Sequence, residues 1–482
     1  MRLDRVSWCF TLVAACGIPA AVGAQGFGLN EIGTCAVGRA QATTGAPCTD
    51  ASVVYWNPGA ATMLKGWSVY AGVAAISVDG GFTADTTSGF FPGTVPTAYP
   101  PHVFVNYGGN RWALGLGAYV PYGLTSEWGS DFPGRFSAKK ASLQSVYVQP
   151  NIAFDVIPGR LSIGGGPVLG YSRVELVQAI DLAAQPAPIP GLPPGTTFAL
   201  LGIRPGTEFA QARLKGNTTA WGFDVGVHAQ LTRDIQVGAR YLSKLDFKYD
   251  GADATFQQIS TGLVVPADIV DPSTGTVIVP AGTKVDALVA PEFAAGGPLV
   301  PQTVSTNIAH PAQFQAGIGY SGIPNTLLSA DYVWVGWSSF DKLPVSFQGP
   351  AASNSRVLIE DYDNSWGIRT GAQYTFTTGW EGRVGFNYAK TPAPDVTVTP
   401  LLPDMNRYDW TLGLSIPIAK RYAVDAGYLR VETKGRRGRL AERTAVNNNV
   451  PDILAGSGGV PPNVGFYTLN ANIFSLSLKA NF

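Results

Sequence analysis

Phe474-Ser475-Leu476-Ser477-Leu478-Lys479-Ala480-Asn481-Phe482 alternates without a fault: every even position is apolar and every odd one polar. Side chains on a strand point to opposite faces with period two, so this segment has one greasy face and one wet face. Working back from it, the same alternation recurs. Trp221, Phe223, Val225, Val227, Ala229 and Leu231 oppose Asp224, His228 and Gln230. Trp380, Val384, Phe386 and Tyr388 oppose Glu381, Arg383 and Asn387. Turn signals cut the chain into fourteen such segments, roughly 66–78, 101–108, 111–120, 142–157, 160–181, 216–232, 235–250, 309–322, 326–347, 364–377, 380–390, 408–419, 422–435 and 470–482.

The gaps between segments alternate in length. Short ones stand at Gly109-Asn110, Pro158-Gly159, Arg233-Asp234, Gly322 to Asn325, Thr378-Gly379 and Lys420-Arg421. Those between run from about fifteen to nearly sixty residues, notably 182–215 and 251–308. An even number of strands, with minimal turns on one side and large loops on the other, predicts an antiparallel transmembrane β-barrel of the bacterial outer membrane. A soluble sandwich would not sort its loops by length. No apolar run of bilayer length lies outside the first residues, and a closed barrel is the other structure that satisfies its main chain in lipid.

Residues 1–24 read as a signal peptide, with Arg2 and Arg5 before an apolar stretch and Val22-Gly23-Ala24 as cleavage site. The alternative is a lipoprotein box ending at Cys16. Removing Arg2, Arg5 and Asp4 from the 33 basic and 33 acidic residues leaves 31 and 32, a near-neutral chain without the basic face a nucleic acid needs. Cys35 and Cys48 remain, an even count in an oxidising compartment, which favours a disulfide over two free buried thiols. The three His carry no zinc-ligand spacing, so neither metal nor cofactor is expected.

Residues 25–65 do not alternate, and they hold Phe27, Tyr55, Trp56 and both cysteines. A fourteen-strand lumen is too wide for wall side chains to fill, so this segment is expected inside it as a hatch, with the barrel itself over 66–482. Pro121-Tyr122-Gly123 interrupts the third strand. Proline lacks the N–H and glycine packs nothing, so the triplet either opens the wall toward lipid or simply ends the strand. The two long outer loops carry Phe198, Leu200 and Leu201 and further apolar residues, the mark of a capture surface or of a loop core. Lys434, Arg436, Arg437, Arg439 and Arg443 form a basic loop suited to lipopolysaccharide phosphates or to water.

At particular residues the chain resembles the FadL/TodX family of outer-membrane transporters for hydrophobic compounds. Gly26-Phe27-Gly28-Leu29-Asn30-Glu31 and Asn57-Pro58-Gly59-Ala60 resemble the hatch motifs, with Gly59 where Ala is usual. Tyr122-Gly123-Leu124 with Glu127-Trp128 resembles the third-strand kink, and Asp404 through Arg407 to Trp410 a further motif. The resemblance implies passive uptake, not catalysis. A hydrophobic small molecule, in this family a long-chain fatty acid or alternatively an aromatic or alkane hydrocarbon, is caught by the outer loops. It passes a hatch containing Phe27, Asn57 and Pro58, and leaves sideways into outer-membrane lipid at Pro121–Gly123, from a monomer. Arg173 and Arg407 are the expected cations for a carboxylate. Gln178, Asp361 and Asp363, where fatty-acid members have basic residues, favour uncharged ligands.

Overall fold

The computed structural model describes residues 26–85, 88–443 and 464–482; the leader, with its cleavage site and Cys16, lies outside them. Fourteen antiparallel strands close into a barrel. They are β1 (Gly66–Ala84), β2 (Pro101–Gly108), β3 in two pieces (Trp112–Tyr119 and Gly123–Glu127), β4 (Lys140–Ile157), β5 (Leu161–Asp181) and β6 (Glu208–Gln230). β7 (Ile235–Leu242 and Leu245–Gln258) and β8 (Gln302–His310 and Gln313–Ile323) are also divided. β9 (Thr326–Val335), β10 (Ser365–Thr375), β11 (Glu381–Ala389), β12 (Arg407–Ala419), β13 (Tyr422–Thr433) and β14 (Gly465–Asn481) complete the ring. β14 closes on β1 in unbroken register from Ser68↔Asn481 to Ala84↔Gly465. No helix among the described residues is long and apolar enough to cross a membrane.

Burial follows the alternation. On β14, Phe474, Leu476 and Leu478 are exposed while Ile473, Ser475 and Ser477 are buried against the interior. Several strands run past the expected segments. β6 starts at Glu208 rather than 216, and the first piece of β8 at Gln302 rather than 309, so the large loops shrink to 182–207 and 259–301. The extensions lie toward the outer rim, beyond the apolar band of the wall, where the period-two signal fades. Pro150 on β4 is not a bulge. Its ladder with β5 lapses between Val148↔Leu169 and Ile152↔Gly165 with equal residue counts on both strands, and Pro150 faces outward.

The lumen is filled by residues 26–64, nearly all buried. Here the polar wall positions find their use, since buried main-chain groups need partners. Asp331 Oδ2 accepts from Thr44 N at 2.7 Å. Asn57 Nδ2 donates to Thr44 O at 2.8 Å and to Val227 O on β6 at 3.0 Å. Thr34 Oγ1 shares hydrogens with Ser475 and Ser477 on β14. The main chain approaches the wall so closely that a Cβ on Gly45 would lie 2.1 Å from the Gly317 carbonyl carbon; only glycine fits there. Cys35, on α1 (Thr34–Gly38), is joined to Cys48, and Arg39 Nη2 donates to Ala46 O across the closed loop.

Both sulfurs being in that bond, a rough figure of 3 kcal/mol attaches to closing a loop of this length. Cys35→Ser with Cys48→Ser should therefore speed amide exchange of residues 35–48 by about a hundredfold at constant barrel melting. Unchanged exchange would mean that wall contacts alone hold the segment.

Candidate functional site

Three residues, Val120 to Tyr122, leave the ladder in the middle of β3; the strand resumes at Gly123 against β4. β2 begins only at Pro101, so the second piece of β3 has no β2 neighbour. Pro96, Pro100 and Pro101 rim the vacancy, and prolines cannot donate to close it. The amino-terminal segment fills part of the break. Leu29 N donates to Pro121 O and Gly123 N to Phe27 O, each at 2.9 Å, and Gly28 bridges Tyr122. The Tyr122 ring turns inward, where its hydroxyl donates to Pro311 O and accepts from Gln313 Nε2, both at 2.9 Å. The triplet is thus both a strand end and a strand interruption.

Phe27 stands at the centre of an aromatic cluster. Its ring centroid is 4.8 Å from Trp337, 5.3 Å from Phe340, 5.6 Å from His310 and 5.8 Å from Tyr122. Edge-to-face pairs of this kind add to the burial of the ring. Two cavities lie close to it. One, of about 90 Å³, opens on the outer-loop side and is lined by Leu176, Leu214, Val304, Ile308, Leu343 and Val345 as well as Phe27 itself. The other, of about 590 Å³, begins at Gly26 and Gly28 and continues to the break. Leu124, Leu143 and Leu402 border both.

The larger cavity crosses the wall. It touches Leu143, Gln144, Ser145 and Val146, four consecutive residues of β4. Neighbours on a strand face opposite ways, so a space in contact with all four reaches both faces. Leu143 and Ser145 are buried inside, Gln144 and Val146 exposed outside.

Charge in this cavity is spoken for. Arg407 Nη2 lies 3.2 Å from Glu31 Oε1 and 2.9 Å from Asp409 Oδ2, so two carboxylates already hold it. Asp404, in the loop before β12, accepts from Gly26 N at 3.1 Å and from the Thr391 hydroxyl. Burial pushes its carboxyl up to about 7, against the pull of the Thr391 bond and Arg436.

Several expectations need correction. Arg173 is on the outward face of β5, at the parity of exposed Tyr171, and borders neither cavity. The family resemblance implied its role, but one residue of parity turns a strand side chain through the wall. Phe198 is 1% exposed, within an apolar core shared by Leu182, Phe209, Val279, Val285 and Leu299, and Leu201 packs against that core; Leu200, 75% exposed, is the one free member of the three. The basic loop is largely internal. Arg436 pairs with Asp395, Arg437 with Asp85 and Arg443 with Asp361. Asn57 and Pro58 press on Gly226 of β6, well away from the break. Trp337, Phe340 and His310 were not singled out from sequence, and Glu31 only as the end of the opening hatch motif; folding brings the first three to Phe27 and Glu31 to Arg407.

Residues 15–482 match the family model described as outer membrane protein transport protein (OMPP1/FadL/TodX). The long-chain fatty acid transport protein of Escherichia coli O6:H1 is 23% identical over 416 residues, covering 83% of this chain and 85% of the relative. Outer membrane protein P1 of Haemophilus influenzae is 23% identical over 498 residues, covering 98% and 97%. Among solved structures, a Pseudomonas aeruginosa FadL homologue superposes with a TM-score of 0.74 at 22% identity, over 95% of this chain and all of the other. The Pseudomonas putida toluene transporter TodX gives 0.64 at 14% identity, with the same coverage.

Proposed function

The chain belongs to the OMPP1/FadL/TodX family of outer-membrane proteins that transport hydrophobic molecules, and we propose that its own cargo is a hydrophobic molecule without an anionic head group, released sideways into the membrane. The observation that carries the route is the cavity in contact with four consecutive residues of β4, inside and outside the wall. A greasy ligand leaving straight through would meet water, at roughly 25 cal/mol per Å² of apolar surface. A passage through the wall delivers it to lipid instead.

The cargo follows from what lines the path. The cavity on the outer-loop side is lined by aliphatic and aromatic residues but for Ser142, Glu175, Lys215 and Thr306, of which Lys215 is on the outward face of β6. Arg407 is the one cation bordering the larger cavity among the described residues, and Glu31 with Asp409 already neutralises it. A carboxylate ligand would have to compete with two fixed carboxylates, whereas a neutral hydrocarbon or aromatic would not. Long-chain fatty acids, the substrate named for the Escherichia coli relative, are the second reading, supported by that relative.

Purified protein should therefore bind toluene or an alkane of similar length more tightly than palmitate at neutral pH. Glu31→Gln should raise palmitate affinity by about tenfold, roughly 1.4 kcal/mol, and leave the hydrocarbon unchanged. Tight palmitate binding by the unaltered protein, insensitive to Glu31→Gln, would overturn the uncharged reading and restore the fatty acid.

A further inference from the structure

The barrel wall has a second discontinuity, between β6 and β7. Toward the inner rim the two strands pair from Gln230↔Gln236 to Asp224↔Leu242, and toward the outer rim from Lys215↔Asp253 to Ala210↔Gln258. In between, residues 216–222 of β6 have no ladder partner on that side. At the lower end Phe223 N donates to Ser243 Oγ, and Ser243 N to Phe223 O. Main-chain groups on a strand turn to alternate sides, so those of Trp221, Thr219 and Asn217 face the seam as well. β7 bulges as it passes: its register with β8 shifts between Tyr249 and Ala252, and Gly251 adopts φ +72°.

Leu245 and Phe247 fill the lower seam from inside. A Cβ on Gly222 would be 2.4 Å from Leu245 Cδ1, and one on Gly170 2.6 Å from Phe247 Cζ. Toward the outer end the seam opens into a cleft of about 290 Å³ bordered by Arg173, Lys215, Asn217, Tyr249, Asp250 and Asp253. Neither Arg173 nor Lys215 makes an ion pair among the described residues. Both are cross-strand neighbours on the outer face, with Arg173 opposite Asn217 and Lys215 opposite Glu175, which Arg213 already holds at 2.6 Å.

Height on the wall identifies the occupant. Below the cleft, the outward positions of β5 and β6 are Tyr171, Leu169, Trp221 and Phe223, with Trp221 68% exposed. Exposed aromatics ring a barrel where acyl chains give way to head groups. Thr219 lies beside Tyr171, and Arg173, Asn217 and Lys215 are the outward positions above them. At that level bare main-chain donors and unpaired cations face lipid head groups.

We infer that the β6–β7 seam binds the phosphorylated head group of an outer-leaflet lipid, with its acyl chains lying down the wall over Tyr171 and Trp221. Arg173, Lys215 and the seam-facing amides donate to the phosphate oxygens. Asp250 and Asp253 balance the two cations while the cleft is empty; with a phosphate present they hold a divalent cation against it, as magnesium sits between carboxylates and phosphates elsewhere. Gly216 and Ala252 border both the cleft and the aliphatic cavity beside Phe27, so the bound lipid seals that cavity at the side.

The test uses the full mature protein in vesicles of phosphatidylcholine containing a few per cent phosphatidic acid, with retained lipid counted by native mass spectrometry. Phosphatidic acid should be retained about tenfold over its share of the vesicle. Arg173→Ala with Lys215→Ala should bring it down to that share, with the barrel's melting temperature unchanged. Equal retention by the double variant would overturn the site. Inorganic phosphate at millimolar concentration displacing the lipid completely would make it a free-anion site. Palmitate displacing phosphatidic acid one for one would assign the cleft to cargo. Either result overturns the lipid assignment, and none bears on the break in β3.

Discussion

Tying residue 29 to residue 123 should stop uptake and leave binding intact. In the folded protein a Cβ on Gly123 would lie 2.8 Å from Leu29 Cδ1, so Leu29→Cys with Gly123→Cys places two thiols within reach once the leucine branch is gone. Gly123 has no positive φ, and a side chain there strains nothing but that contact. The bond would fix the strand Phe27–Leu29 in the break, where Leu29 N and Gly123 N already reach across it. If cargo leaves through β3, this strand must retreat first. In a Cys35→Ser, Cys48→Ser background, the oxidised form should take up ligand more than about tenfold slower than the reduced form, a barrier increase above roughly 1.4 kcal/mol. Ligand binding to purified protein should be equal in both. Equal uptake with the bond shown closed by mass spectrometry would exclude this exit and leave passage past the hatch toward the inner rim.

Phe27→Ala should have the opposite sign on leakage. Phe27 is 3% exposed; its ring lines the smaller cavity, and its chain neighbours Gly26 and Gly28 line the larger. Removing a buried phenyl ring costs about 3–5 kcal/mol where neighbours cannot collapse into the space. Trp337, Phe340 and Tyr122 are held by their own contacts, and the wall fixes the cluster on three sides. The loss therefore falls on the segment 26–30, whose main chain is otherwise held by bonds to Asp404, Pro121 and Gly123. We expect the cavities to merge and a bulky hydrophobic dye to cross the outer membrane at least about tenfold faster, while saturable ligand binding weakens. Phe27→Leu, which keeps most of the volume, should sit between. A variant with unchanged dye entry and unchanged binding would show that the gate lies elsewhere, with Leu124, Leu143 and Leu402 the residues common to both cavities.

The two experiments separate route from cargo. The cross-link tests where a ligand leaves, whatever it is; Glu31→Gln tests what the protein accepts, whatever the exit. The outer loops enter less directly than their composition suggested. Phe198 and its neighbours hold the loops together, and Leu200 offers a single exposed apolar side chain.

Alternation by itself determined the barrel, its strand count and which end carries the loops, because burial in lipid acts residue by residue along each strand and leaves a period-two trace. It also marked Pro121–Gly123, since a missing N–H and a missing side chain are local properties. It did not supply Arg173, which the resemblance suggested; the outward direction of that side chain follows from its place on β5, next to buried Ser172 and at the parity of exposed Tyr171. Nor did it determine the neutralisation of Arg407 by Glu31, the ring of Trp337, Phe340 and His310 about Phe27, or the seam between β6 and β7. Each joins residues tens to hundreds of positions apart, and barrel closure with an occupied lumen decided them. Contacts between wall and hatch follow from register and from glycines such as Gly45 that permit close approach, and neither leaves a periodic signal in the chain.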